Sequence, residues 1–168
     1  MTYDTSNYIE HLGSLCLSAR TLNSLAKAGI HKTDYISGGT MSRPIERLVA
    51  NNFGFTLNLD PYGYFDMRKG DKFYEMRLRH NGKPLFVSPS SSRGAGRSFK
   101  QKDLDNVFTL VDGFIIVDTV EFPELNVFML KTVSARELLE RNWLKGGKLN
   151  CSDFMMLCHK TKQKAVHV

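Results

Sequence analysis

At 168 residues, with 42% hydrophobic and 24% charged side chains, the chain has the composition of one soluble folded domain long enough to bury a real core. No apolar run approaches the roughly 20 residues of a membrane-spanning helix, and Met1-Thr2-Tyr3-Asp4 lacks the basic start and apolar block of a secretion signal, so a cytoplasmic protein is expected. Lysine and arginine exceed aspartate and glutamate by 23 to 17, a net +6, which points to a polyanionic partner, nucleic acid first, or else to a solubilising surface.

In chain order, the N-terminal third reads as helical. Ser6 is placed to cap a short helix carrying Tyr8, Ile9, Leu12 and Leu15, and Ser18 to cap a second over residues 19–28 with Gly29 as its stop. Gly38-Gly39 breaks the chain. Ser42-Arg43-Pro44 then opens a helix with proline in its first turn, where it is tolerated; Ile45, Leu48 and Val49 form its apolar stripe and Asn51-Asn52-Phe53-Gly54 its end. Beyond it the pattern changes to period two. Strands are expected over 62–67, 73–80 and 84–88, with turns at Gly70-Asp71 and Asn81-Gly82.

Residues 88–97 form a basic loop rich in serine and glycine, followed by a helix over 103–111 with Leu104, Val107, Phe108 and Val111 on its buried stripe. Phe114-Ile115-Ile116-Val117 is the continuous apolar run of a strand buried on both faces. After Phe122-Pro123-Glu124 come a strand over 126–131, a helix capped by Ser134 with Leu138, Leu139 and Trp143, and a weaker helix with a basic tail. Cys16, Cys151 and Cys158 read as reduced thiols; the last two are seven residues apart, wider than the pairs of a zinc site, and are taken as core residues. The expected organisation is an N-terminal helical segment (1–39), an α/β core (40–145) and a C-terminal helix and tail (146–168) within one compact unit.

The first hairpin carries the chemistry. With Gly70-Asp71 as a two-residue turn, Lys69 faces Lys72, Met67 faces Tyr74, and Asp66 faces Glu75. Alternation sends Phe65, Met67, Tyr74, Met76 and Leu78 to a core face. Tyr64, Asp66, Arg68, Glu75, Arg77 and Arg79 go to the other. Continuing through Asn81-Gly82 sets Leu78 against Leu85 and Met76 against Val87. Directly opposed carboxylates are destabilising by up to about 1 kcal/mol, so something positive should offset them: the neighbouring arginines, or a divalent metal.

The order helix, three strands, helix, strand, with Asp66 on the first hairpin strand and Glu75-Met76-Arg77 nine residues later, resembles the PD-(D/E)xK nuclease superfamily, to which many restriction endonucleases belong. The resemblance covers residues 42–131. It implies an α/β fold of the α+β type, with a mixed central sheet flanked by helices and an αβββαβ core. It also implies a metal-dependent endonuclease on double-stranded DNA, often a homodimer, with Asp66 and Glu75 holding Mg²⁺ or Mn²⁺ and Glu46 as the acidic residue of the preceding helix. The family's lysine is replaced by Arg77, which stabilises charge but stays protonated and cannot serve as a base. That leaves an active variant, a slow nuclease, and a DNA-binding scaffold all open. Nucleic-acid contacts are expected from Arg68 and Arg79 and from Ser92, Arg93, Arg97, Lys100 and Lys102 in and after the basic loop. Residues 17–30 also resemble the first helix of the C-terminal domain of the bacterial RNA polymerase α subunit, which makes a non-catalytic DNA- or polymerase-binding regulator the competing expectation.

Overall fold

A computed structural model describes residues 8–30, 42–60, 63–80, 83–89, 96–159 and 165–168. Along them run β1 (Ile9–Cys16), α1 (Ala19–Lys27), α2 (Ser42–Phe53), β2 (Thr56–Leu57), β3 (Met67–Lys69), β4 (Lys72–Arg79), β5 (Leu85–Phe86), α3 (Gln101–Leu110), β6 (Gly113–Asp118), β7 (Glu124–Lys131), α4 (Thr132–Glu140), β8 (Lys148–Leu149), α5 (Cys151–Leu157), β9 (Cys158–His159) and β10 (Val166–His167). The class is the expected one, a mixed sheet flanked by helices. The main sheet has eight strands in the order β10-β1-β7-β6-β4-β3-β2, with β9 beside β10 on the same edge of β1.

The apolar run around Ile115 becomes β6, buried at every residue. It lies parallel to β4 and antiparallel to β7, and α3 supplies the crossover that parallel neighbours require. The chain order is α2-β2-β3-β4-β5-α3-β6, with β2, β3 and β4 antiparallel, β6 parallel to β4, and β5 standing outside the main sheet between β4 and α3. The Gly70-Asp71 hairpin has the register read from its turn: Met67 faces Tyr74 and Lys69 faces Lys72. Gly70 sits at φ +61° with open space around it, the left-handed backbone such a turn needs.

Four elements differ from expectation. The strand expected over 62–67 begins only at Met67 and runs to Lys69, leaving Asp66 ahead of it. Residues 8–16 are a strand, not a helix: the i, i+3 spacing of Ile9, Leu12 and Leu15 imitates helical period because a register shift between His11 and Gly13 interrupts the alternation. The strand over 84–88 does not join the hairpin. β4 already pairs from Tyr74 to Arg79 with β6, so β5 pairs instead with β8 in a separate small sheet, Leu85 against Leu149. β2 takes the third place, Leu57 facing Met67. Helix α4 begins at Thr132, which places Ser134 inside its first turn rather than at its cap, and Trp143 falls beyond its end. The cap at Ser18 is as expected, its Oγ accepting from the Thr21 N–H at 3.2 Å.

Both faces of the sheet are covered. On one, α2 packs Ile45 and Val49 against Met67, Met76, Ile115 and Val117, with Tyr74 and Leu78 beside them. On the other, Leu104, Phe108, Leu138 and Phe154 from α3, α4 and α5 close over Phe114 and Ile116. Phe65 packs on this second face, contrary to simple alternation, because the chain is irregular before β3; its ring lies 4.7 Å from that of Phe73. Cys158 packs against the same core, where burial pushes its thiol up. No helix among the described residues is long and apolar enough to cross a membrane.

Gly113 opens β6 where the sheet is tightest: a Cβ there would stand 2.9 Å from the Leu130 carbonyl oxygen and 3.3 Å from the Lys131 Cα. Both atoms are backbone held in the ladder, so neither gives way. Gly113→Ala is expected to cost about 1–3 kcal/mol, seen as a lower urea midpoint with an unchanged slope.

Candidate functional site

Asp66 is positioned by its own backbone. Its N–H donates to the Tyr74 carbonyl at 2.9 Å and its carbonyl accepts from the Asn58 N–H at 2.9 Å. Its Oδ2 accepts from the Met76 N–H at 2.7 Å, which takes the place of a ladder bond and fixes the carboxylate against β4. Burial pushes this carboxyl above its ordinary range, the Met76 bond pulls it back, the Glu75 charge raises it again, and Arg77 and Arg43 lower it.

Glu46, on the inner side of α2, is only 3% exposed. Arg43, one turn earlier, reaches its Oε2 at 3.1 Å and also donates to the Asn58 carbonyl at 3.1 Å. The Glu46 carboxyl is held high first by burial and then by the charge of Asp66, against the pull of Arg43. The charge of Asp66 raises Glu46, and the charge of Glu75 raises Asp66.

Glu75 has its neutralising partner within its own strand. Its Oε1 lies 2.6 Å from Arg77 Nη1, while Oε2 is buried with no hydrogen-bond partner among the described residues. Arg77 Nη1 also donates to the Met76 carbonyl at 3.1 Å, and the guanidinium sits 5.8 Å from the Phe114 ring centre. Arg77 is 6% exposed, so the charged face read from the sequence is not a solvated surface; α3, α4 and α5 cover it.

Among the described residues, no three or more of His, Cys, Asp and Glu are grouped to hold a metal ion. Glu75 Oε2 is an acceptor without a donor, and Mg²⁺ in phosphate chemistry is usually held by one or two carboxylates, the remaining positions going to water and substrate oxygens.

Other expected contacts are dispersed. Arg68, Lys100 and Lys102 are exposed. Arg79 is a correction: only 4% exposed, it bonds Asp118 Oδ2 at 2.9 Å and stacks 4.6 Å from the Phe154 ring centre, so it holds the core and presents nothing to a nucleic acid. Ser92 and Arg93 lie outside the described residues. Arg97 is half-buried and donates to the Ser88 carbonyl at 3.1 Å. Burial first, and then the neighbouring Arg77 charge, lower its pKa, while Glu75 raises it, so Arg97 lies within electrostatic reach of the carboxylate site. Arg43 and Ser88 were not singled out from the sequence. Arg43 stands three residues before Glu46, the spacing of a helical ion pair, and that signal could have found it.

Comparison with protein-family models, with curated proteins and with solved structures finds no match to this chain.

Proposed function

We propose that the protein is a metal-dependent endonuclease of the PD-(D/E)xK type, hydrolysing phosphodiesters of double-stranded DNA in the cytoplasm and acting as a homodimer. The observation that carries this reading is the Asp66 carboxylate held at 2.7 Å on the Met76 N–H, one residue along β4 from Glu75, with the charge of Asp66 felt by Glu46 on α2. Asp66 and Glu75 would hold Mg²⁺ or Mn²⁺, which when bound activates water and neutralises charge on the phosphate. Asp66, fixed by the Met76 N–H, sets where the substrate phosphate lies. Arg77 faces the charge that develops there. It cannot take a proton, whereas Glu46, with its raised carboxyl, holds one more readily than a free side chain and is the better proton acceptor.

The second reading is a non-catalytic DNA- or RNA-polymerase-binding regulator on the same scaffold. It is favoured by the 2.6 Å ion pair, which already neutralises Glu75 with a residue that cannot replace the family's lysine as a base.

Supercoiled plasmid incubated with Mg²⁺ or Mn²⁺ separates the two. Wild type is expected to nick it, and Asp66→Asn and Glu75→Gln to do so at least about 100-fold more slowly. Equal cleavage by all three proteins would remove the assigned site. DNA binding that weakens steeply with salt, with no cutting in either metal, would establish the second reading instead.

A further inference from the structure

We propose that Arg43, at the start of α2, is the exposed contact for a backbone phosphate of the DNA at the mouth of the carboxylate site. The proposal rests on the nucleic-acid substrate argued above but not on cleavage.

The buried arginines leave this role open. Arg77 and Arg79 are 6% and 4% exposed, and each is paired with an acid of its own, Glu75 and Asp118. Arg43 differs. It too bonds an acid of the site, Glu46 Oε2 at 3.1 Å, yet 50% of its side chain is exposed while Glu46 is buried. The guanidinium therefore stands between the buried carboxyl and solvent.

A second bond fixes its direction. The same Nη1 donates to the Asn58 carbonyl at 3.1 Å. Asn58 is itself a hub: its N–H donates to the Asp66 carbonyl at 2.9 Å, its Nδ2 to the Phe65 carbonyl at 2.9 Å, and its Oδ1 accepts from the Asp60 N–H at 3.1 Å. Gly63 presses on this side chain so closely that an added Cβ would stand 2.0 Å from Asn58 Nδ2. Direct bonds thus run from Arg43 through one residue to the backbone of Asp66. With Nη1 occupied twice, Arg43 Nε and Nη2 make no hydrogen bond among the described residues. Those two donors form one edge of the planar fork, the edge that matches two oxygens of a single phosphate. A guanidinium already held in place loses little side-chain freedom in making such bonds.

Charge points the same way. Arg43 sits in the first turn of a 12-residue helix, a turn without an acidic residue, where a cation opposes the helix dipole. Arg47, exposed one turn further on, adds a like charge at i, i+4, which weakens a helix again. The Glu46 bond offsets the first of these in part. A phosphate at the outer edge of Arg43 offsets both.

The test measures binding of a short labelled DNA duplex by the full chain in EDTA over a range of NaCl concentrations. Arg43→Gln is expected to flatten the slope of log affinity against log salt by about 0.9, the loss of one phosphate contact. Arg43→Lys keeps the charge but not the fork, so it should hold the wild-type slope and bind more weakly. An Arg43 that serves only the fold would alter stability and leave the slope in place. Glu46→Gln, with and without Arg43→Gln, repeats the comparison without stranding a buried carboxyl, and that pair decides the matter even where Arg43→Gln alone does not fold. Equal slopes within the pair would overturn the contact. A wild type that binds no duplex at low salt would overturn the nucleic-acid reading and this contact with it. A protein that cuts DNA while its slope ignores Arg43 would lose the contact and keep the nuclease; one whose slope follows Arg43 and which cuts nothing would do the reverse.

Discussion

Glu75→Ala is expected to destabilise the protein by about 3 kcal/mol or more, because it leaves the Arg77 guanidinium buried without its 2.6 Å partner. For a chain of this size that is a fall in Tm of roughly 6–12 °C. Glu75→Gln keeps an oxygen for Arg77 Nη1 and should lose much less. Adding Arg77→Met to Glu75→Ala removes the stranded charge along with its partner and should recover most of the loss, which a double-mutant cycle measures directly. The comparison matters for the cleavage assay. If Glu75→Ala alone were tested, lost activity could reflect unfolding; Glu75→Gln separates the two, since it disarms the carboxylate while sparing the fold. A Glu75→Ala protein as stable as wild type would show that Arg77 finds other solvation, and the dry ion pair would fall.

The same residues show how far the sequence could be read. The hairpin was legible because Gly70-Asp71 dictates both turn and register locally, so Met67 meets Tyr74 without help from the rest of the fold. β6 was legible because only a doubly covered strand tolerates an unbroken apolar run. β5 was not: Asn81-Gly82 signals a turn but cannot say which edge of β4 is free, and a strand some thirty-five residues later had taken it. The expected facing of Asp66 and Glu75 was not legible either: the ladder ends at Met67–Tyr74, and Asp66 bonds the Tyr74 carbonyl and the Met76 N–H instead. Nor was the burial of Arg77 and Arg79, because arginine on one face of a strand looks alike whether that face meets solvent or meets Phe114 and Phe154. Local pattern does not pair Ser88 with Arg97; theirs is a contact across a loop.

Asp66 and Glu46 should behave in the opposite sense to the Glu75–Arg77 pair. Both carboxyls are held above their ordinary range, chiefly by burial, so each folded group binds protons more readily than its unfolded counterpart. Between the ordinary carboxylate value near 4 and the raised folded value, the native state carries the extra protons and stability falls as pH rises. Above that window the full penalty remains; below it both states are protonated and the penalty disappears. Asp66→Asn, which keeps an oxygen for the Met76 N–H, and Glu46→Gln, which keeps one for Arg43, should therefore each stabilise the protein at pH 8 by roughly 1 kcal/mol, or a few degrees in Tm. That gain should vanish below about pH 4. Divalent metal should do for the wild type what the substitutions do for the variants: Mg²⁺ at pH 8 is expected to raise the Tm of wild type and not that of Asp66→Asn. A carboxylate serving only the fold would lose stability on such replacement. Gains at pH 8 that coincide with lost cleavage are the mark of groups kept charged for a ligand, and an unstable Asp66→Asn would assign Asp66 to structure instead.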